Sequence, residues 1–258
     1  MARRLSTRSG RAKTGQFLIE GPQAVREAQQ AGLVVRLLMT AAAARRHPDL
    51  ATGPGAERGY ELVGDDVIAG LADTVTSQGV VAIGRTPTWG WDGFPERPRL
   101  VVVCDRIRDP GNAGAVIRCA DAFGADAVVF TEGSVEPVNP KVVRSTTGSL
   151  FHLPLVTGAD LPDTVARLRG AGLRVLATDG EGSDDLAELD ARGDLGAPVA
   201  WVFGTEATGL DEAGRSLADE TVRIPMWGRA ESLNLATAAA VCLYTTAVAQ
   251  QRRVGAGL

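Results

Sequence analysis

The chain is poor in the residues that build metal centres. It has two histidines, His47 and His152, and three cysteines, Cys104, Cys119 and Cys242, in 258 residues. No two cysteines make a C-x-x-C pair and each sits in an apolar run. They read as small buried hydrophobes in a reducing cytoplasm, rather than a disulfide framework or a zinc site. Neither histidine has a ligand-spaced partner, which leaves little room for metal catalysis or a Ser-His-Asp triad. Positive charge is also short. The 27 Lys and Arg face 31 Asp and Glu, for a formal net charge of −4. Domains that hold nucleic acid through their overall field are usually basic, so any RNA contact must rest on a local patch. Long apolar runs are missing too. The most hydrophobic stretch, Leu235 to Ala249, contains three threonines and is too short to span a bilayer.

What is present is the composition of an ordinary globular protein, with 45% hydrophobic and 22% charged residues. Its length accommodates one large domain or a smaller and a larger one. The first nineteen residues carry no acid but hold Arg3, Arg4, Arg8, Arg11 and Lys13. A signal peptide would need an apolar segment behind these, and Thr14-Gly15-Gln16 supplies none.

Strand and helix patterns alternate through residues 1–84. Phe17 to Glu20 reads as a strand, and Pro22 opens a helix that stops at Gly32. Val34 to Met39, Tyr60 to Val63 and Gly79 to Ile83 read as further strands. Asp65 caps a short helix, and the Gly- and Pro-rich stretch 51–59 is a loop. This predicts a small α/β domain. Residues 85–98, with Pro87, Pro95, Pro98, Gly90 and Gly93, form a linker, whose Trp89 and Trp91 should pack on a surface. Residues 99–258 form the larger domain. Leu100 to Cys104 is a continuous apolar run, as expected of a strand buried on both faces of a parallel sheet. A helix over 112–123 follows, then strands at 127–130, 174–177, 199–203 and 221–224. The last helix, Leu233 to about Gln250, is apolar on nearly every face and should be buried, in part against a second subunit.

Three segments place Gly, Asn, Ser or Pro where a strand ends. The first is Asn112-Ala113-Gly114-Ala115-Val116-Ile117-Arg118, where a helix N-terminus capped by Asn112 offers free N–H groups to an anion. Alone it is equally an ordinary βα turn with a surface arginine, and Gly111 and Gly114 do not make the dinucleotide fingerprint. The second is Gly204-Thr205-Glu206-Ala207-Thr208-Gly209-Leu210. There Gly204 lets a ligand approach the backbone and Gly209 permits a left-handed turn; any strand-to-helix loop could look the same. The third is Ile224-Pro225-Met226 leading through Gly228 to Ser232-Leu233-Asn234, with Ser232 as N-cap of the last helix.

Together, in this order and spacing, the three segments resemble the motifs of the SpoU (TrmH-type) RNA 2'-O-ribose methyltransferases of the SPOUT superfamily. Cys119 and Leu235-Ala236 depart from the commoner family residues at positions not expected to do chemistry. Asn139 to Ser145 also resembles the family segment before a short strand ending at Pro154. The Ile19-Glu20-Gly21 start and Thr76-Ser77-Gln78-Gly79-Val80 end of the small domain resemble the family's ribosomal-protein-like substrate-binding domain.

The resemblance implies an α/β fold: a C-terminal trefoil-knotted SPOUT domain on a Rossmann-like parallel sheet, with a smaller N-terminal α/β RNA-binding domain. Such a knot is among the few exceptions to unknotted chains. It implies methyl transfer from S-adenosylmethionine to a ribose 2'-hydroxyl without a metal. The cofactor is expected at Leu176, Thr178, Gly204, Ile224, Met226 and Leu233. Chemistry is expected from Arg118, as base or as electrostatic clamp, with Glu206, Asn112, Asn234 and Ser232 beside it. RNA is expected at Arg3, Arg4, Arg8, Arg11, Lys13, Arg106, Arg108, Lys141 and Arg144, each of which alone reads equally as solvated charge. A homodimer through the last helix and the knot is implied, with one arginine serving the partner's site. The separate N-terminal domain favours 23S rRNA over tRNA. Two other classes stay open: a non-catalytic RNA-binding or ribosome-assembly protein on this fold, and a Rossmann-type oxidoreductase.

Overall fold

Three runs of branched and aromatic residues, Leu100–Cys104 (β5), Ala127–Thr131 (β6) and Val199–Phe203 (β10), are buried along their whole length. They form the centre of an all-parallel sheet, as expected of strands covered on both faces. The structure, a computed structural model, describes residues 2–52, 59–72, 77–205 and 208–255. The chain divides into two compact units, residues 1–88 with 136–152 and residues 89–135 with 153–258.

In the first unit, β1 (Gln16–Glu20), β2 (Val34–Met39), β3 (Glu61–Leu62) and β4 (Val80–Arg85) make a mixed sheet ordered β1-β4-β2-β3. The helices α1 (Arg8–Thr14), α2 (Pro22–Gln30), α3 (Ala41–Arg46), α4 (Pro48–Thr52) and α5 (Asp65–Ala69) belong to it. Pro22 stands in the first turn of α2, and Gly32 follows the helix at φ 67°. Asp65 is the first residue of α5, and the cap is Gly64. Residues 53–58 of the expected loop, and Thr76, lie outside the described residues. The segment 136–152 packs in this unit, where its helix Pro140–Thr146 touches β1.

In the second unit the sheet runs β7-β6-β5-β10-β8-β11-β9, with β7 at Leu155–Ala159, β8 at Arg174–Thr178, β9 at Asp184–Asp185 and β11 at Glu220–Arg223. Thus β7 begins after Pro154, where the sequence reading ended a strand. Its helices are α6 (Pro110–Ala122), α8 (Leu161–Gly170), α9 (Leu186–Ala191), α10 (Glu212–Ser216) and α11 (Leu235–Gly255), α7 being the Pro140–Thr146 helix of the first unit. The order changes direction at β5, which has β6 on one side and β10 on the other. All strands are parallel, so the loops after β5, β8 and β10 leave from the same edge. That is where ligands bind in open α/β sheets.

Trp91 packs on Phe94 at 4.9 Å, carries Arg167 5.2 Å above its ring, and rests on the core of this unit. Only one stripe of α11 is buried, through Ala239, Cys242, Leu243, Thr246, Ala249 and Gln250. Tyr244 on its other side is 58% exposed, and Val254 lies in the exposed end of the helix, 62% exposed. Where α11 meets the sheet, the indole of fully buried Trp201 donates to Thr246 Oγ1 at 2.9 Å.

Candidate active site

Three loops at the carboxyl edge of the sheet enclose a cavity of about 320 Å³, within the size range of small-molecule and cofactor sites. The first loop leaves β8 at Thr178. Asp179 N donates to Val222 O, and the Asp179 carboxylate accepts from Glu181 N and from Arg215 at 2.9 Å. Its end is wedged against β11. A Cβ on Gly182 would lie 2.8 Å from the backbone of Thr221, Val222 and Arg223.

The second loop leaves β10 at Gly204 and closes on itself. Thr205 N donates to Gly209 O, and Gly209 N donates back to Thr205 O. Gly209 takes the left-handed conformation, at φ 65°. Gly204 has a further reason beside the one expected. A Cβ there would stand 2.2 Å from the carbonyl carbon of Gly209, so what needs the space is the chain's own returning backbone.

The third loop runs from Ile224 to Leu233 and delivers the chain to α11. Asn234 is the N-cap of that helix: its Oδ1 accepts from Ala236 N and its carbonyl from Ala238 N. The expected cap, Ser232, is exposed and lines the cavity instead.

The loop after β5 joins this assembly from the other side. Asp109, rather than Asn112, caps α6, accepting from Asn112 N at 2.7 Å, and Pro110 takes the first helical position. This frees the Asn112 side chain, whose Oδ1 accepts from Asn234 Nδ2 at 2.9 Å. Arg106, in the left-handed conformation at φ 52°, bridges Asp105 and Asp211 at 2.9 and 2.7 Å. Asp211 also caps α10 through Gly214 N. The Arg106 guanidinium and that N–H hold the Asp211 carboxyl below the usual carboxylate range. The ends of β5 and β10 are thereby tied together.

Of the expected cofactor positions, Thr178, Gly204, Ile224, Met226 and Leu233 line the cavity. Leu176 does not: it is fully buried in β8, registered with Trp201 of β10 and Glu220 of β11. Asp179, Arg215 and Glu231 line the cavity and were not anticipated. Asp179 directly follows a strand end, which is a usable signal. Arg215 joins only because α10 folds back, which no local pattern reveals.

Arg118 is exposed on α6 and makes no hydrogen bond or ion pair among the described residues. Glu206, like Ala207 and the side chain of Arg3, lies outside the described residues. Among the expected RNA contacts, Arg4, Lys13, Arg108 and Lys141 are exposed. Arg8 is exposed but pairs with Glu136, Arg106 is committed as above, and Arg144 pairs with Glu20. Arg11 is 5% exposed and spends its guanidinium on Glu136 and the carbonyls of Leu5 and Ser6. That is a folding role with no face left for a phosphate. Among the described residues there is no group of three or more His, Cys, Asp and Glu that could hold a metal ion.

Residues 99–244 match the SpoU rRNA Methylase family, and residues 1–82 match the MRM3-like substrate binding domain. The chain belongs to the SpoU rRNA methylase family. It is 34% identical to the 23S rRNA (guanosine(2553)-2'-O)-methyltransferase RlmP of Bacillus subtilis, over 94% of this chain and 92% of that one. It is also 34% identical to the 23S rRNA (uridine(2479)-2'-O)-methyltransferase of Streptomyces viridochromogenes, over 93% and 85%. The crystal structure of the SpoU methyltransferase AviRb from Streptomyces viridochromogenes with the cofactor AdoMet superposes with a TM-score of 0.83. That match has 32% identity and covers 98% of this chain and 96% of that one. As a SpoU methylase, the chain is a methyltransferase that uses S-adenosylmethionine.

The cavity suits that cofactor. Phe203, Leu210, Val222 and Ile224 offer an apolar wall for a flat base, while Thr178, Thr205 and Thr208 bring hydroxyls and loop backbone groups. Asp179 is paired with Arg215, so Glu231 is the carboxylate left to meet the positive charge of a sulfonium or an ammonium.

Proposed function

We propose that this protein methylates a ribose 2'-hydroxyl of 23S rRNA, with the donor held in the three-loop cavity. The bond between Asn234 and Asn112 carries the reading, because it ties the loop of the first motif to the loop that closes the donor site. The whole-length similarity to enzymes named for 23S rRNA favours that RNA over tRNA. Those two names specify a guanosine and a uridine, so family membership does not fix the nucleotide.

S-adenosylmethionine supplies an electrophilic methyl on a sulfonium, and the protein's task is to align the hydroxyl oxygen with it. Such alignment is worth on the order of 7–11 kcal/mol over a free encounter. Arg118 acts as an electrostatic clamp: it holds the neighbouring phosphate and stabilises negative charge as it grows on the ribose oxygen. Asn112 and Asn234 fix the ribose side of the cavity, Ser232 offers a hydroxyl at its rim, and Glu206 partners Arg118. Arg4, Lys13, Arg108 and Lys141 supply phosphate contacts. Each such contact lowers log affinity by about 0.7–0.9 per unit of log salt.

A homodimer completes the proposal, with Arg118 of one protomer serving the cavity of its partner. The exposed Tyr244 on the outer side of α11 supports an interface there. The trefoil knot belongs to the same reading, supported by the tight passage of Gly182 against β11. Among the described residues no helix is long and apolar enough to cross a membrane, in keeping with work on ribosomal RNA in the cytoplasm.

The test is single-turnover methylation of 23S rRNA by wild type, Arg118→Lys and Arg118→Ala, with donor affinity measured by calorimetry. The expected result is intact donor binding with a rate lost by two orders of magnitude or more. Wild-type rates in both variants would remove Arg118 from the mechanism. Mixing Arg118→Ala with a cavity variant such as Gly204→Val tests the shared site, since restored activity requires a dimer.

A further inference from the structure

We propose that Trp227 is a stacking platform for a base of the RNA substrate, held at the rim of the donor cavity. This rests on the methyltransferase reading and extends it to how the nucleotide is held. The four tryptophans have different surroundings. Trp201 is fully buried in the sheet, Trp91 lies between Phe94 and Arg167, and Trp89 is half-buried. Trp227 is 90% exposed. Its loop has no regular secondary structure, so the indole serves neither packing nor a strand face.

Its position is anchored. Met226, immediately before it, and Glu231, four residues on, both line the cavity. Consecutive Cα atoms are about 3.8 Å apart, which keeps the indole within one side chain of the cavity wall. The base of a nucleotide whose ribose enters that mouth must lie within the same short distance. Every base has a π face, and a broad aromatic surface binds it without demanding a particular sequence. Arg229 is exposed two residues further on and forms no ion pair among the described residues. A cation beside an aromatic ring is the pairing that single-stranded RNA requires, one for the phosphate and one for the base. This cation also separates the patch from a purely apolar subunit contact.

The experiment uses the full-length protein and its Trp227→Phe and Trp227→Ala variants. The emission difference between wild type and Trp227→Phe isolates the signal of Trp227. That signal should be that of a solvent-exposed indole, readily quenched by acrylamide, and should be quenched again on titration with short single-stranded oligoadenylate. In steady-state methylation of 23S rRNA, Trp227→Ala should raise KM for RNA roughly five- to a hundredfold. Its kcat should change much less and its calorimetric affinity for S-adenosylmethionine should be unchanged. Trp227→Phe should restore most of the loss. No quenching with an unchanged KM would overturn the proposal. So would a loss of donor affinity in Trp227→Ala, which would make the indole part of the cofactor wall. A Trp227 shielded from acrylamide in the free protein, and exposed on dilution to monomer, would assign it to a subunit contact and also overturn it. If wild type methylates no RNA, the methyltransferase reading fails, while the oligoadenylate titration still decides the stacking site.

Discussion

Asn234 Nδ2 donates to Asn112 Oδ1 across 122 residues of sequence, while its own Oδ1 accepts from Ala236 N at the start of α11. The second bond dictates the first. A backbone N–H can be met only by the amide oxygen, so the amide nitrogen must face Asn112. One side chain therefore caps a helix and ties together two loops that belong to different motifs.

The two roles can be separated. Asn234→Asp keeps an acceptor for the cap and places negative charge at a helix N-terminus, where it is tolerated or stabilising. It loses the donor toward Asn112. The expectation is an unchanged or slightly higher denaturation midpoint with a large loss of methyl transfer. Asn234→Ala loses both bonds and should also cost about 1 kcal/mol of stability, read from the urea midpoint. Full activity in Asn234→Asp would show that only the cap matters.

Two glycines of the second loop make opposite predictions. Gly204→Ala puts a methyl 2.2 Å from the Gly209 backbone, which no side-chain rearrangement relieves. Its cost should reach the upper end of the overpacking range, about 3 kcal/mol, with loss of donor binding. Gly209→Ala has open space around the new methyl but keeps φ at 65°, so about 1–2 kcal/mol is expected. Equilibrium unfolding of both variants checks the order, and a reversed order would contradict the loop geometry.

Legibility in the sequence followed the range of the cause. The strand runs Leu100–Cys104 and Val199–Phe203 lie where their continuous apolar character put them, because burial on both faces leaves a local imprint. Pro22 and Gly32 likewise bracket α2 by backbone chemistry alone. What failed was long-range. Asn112 and Ser232 are good caps in isolation, yet Asp109, three residues upstream, and Asn234, two residues downstream, took the positions. Leu176 lies two residues before the strand end, and only the register with Trp201 and Glu220 buries it. Arg11 looked like part of a solvent-facing basic arm until Glu136 arrived from 125 residues away.

The Trp201–Thr246 bond offers a clean test of how α11 is fixed to the sheet. Thr246→Val keeps the shape but leaves the indole N–H buried without a partner. An unsatisfied buried donor costs about 1–3 kcal/mol. Trp201→Phe in the Thr246→Val background removes that orphaned donor, so the double variant should lose less than the sum of the two single changes. Additive losses in a double-mutant cycle of urea midpoints would mean that the bond contributes nothing.

Cysteine chemistry gives the pH-dependent prediction. Cys104 and Cys242 are fully buried, and burial pushes the Cys242 thiol well up. Burial also pushes the partly buried Cys119 thiol up, opposed in part by the positive charge of the adjacent Arg118. A raised thiol pKa means less thiolate at neutral pH, and the thiolate is the reactive form. Alkylation of the folded protein should therefore modify Cys119 alone. It should be slow at pH 7 and still accelerating as pH passes the ordinary thiol value of about 8.5. Arg118→Ala removes the opposing charge, so the Cys119 thiol should rise further and label more slowly at any fixed pH below its titration. Mass-spectrometric labelling rates from pH 7 upward measure both effects. Faster labelling in Arg118→Ala would mean that the arginine shields the thiol sterically rather than acting on it through its charge.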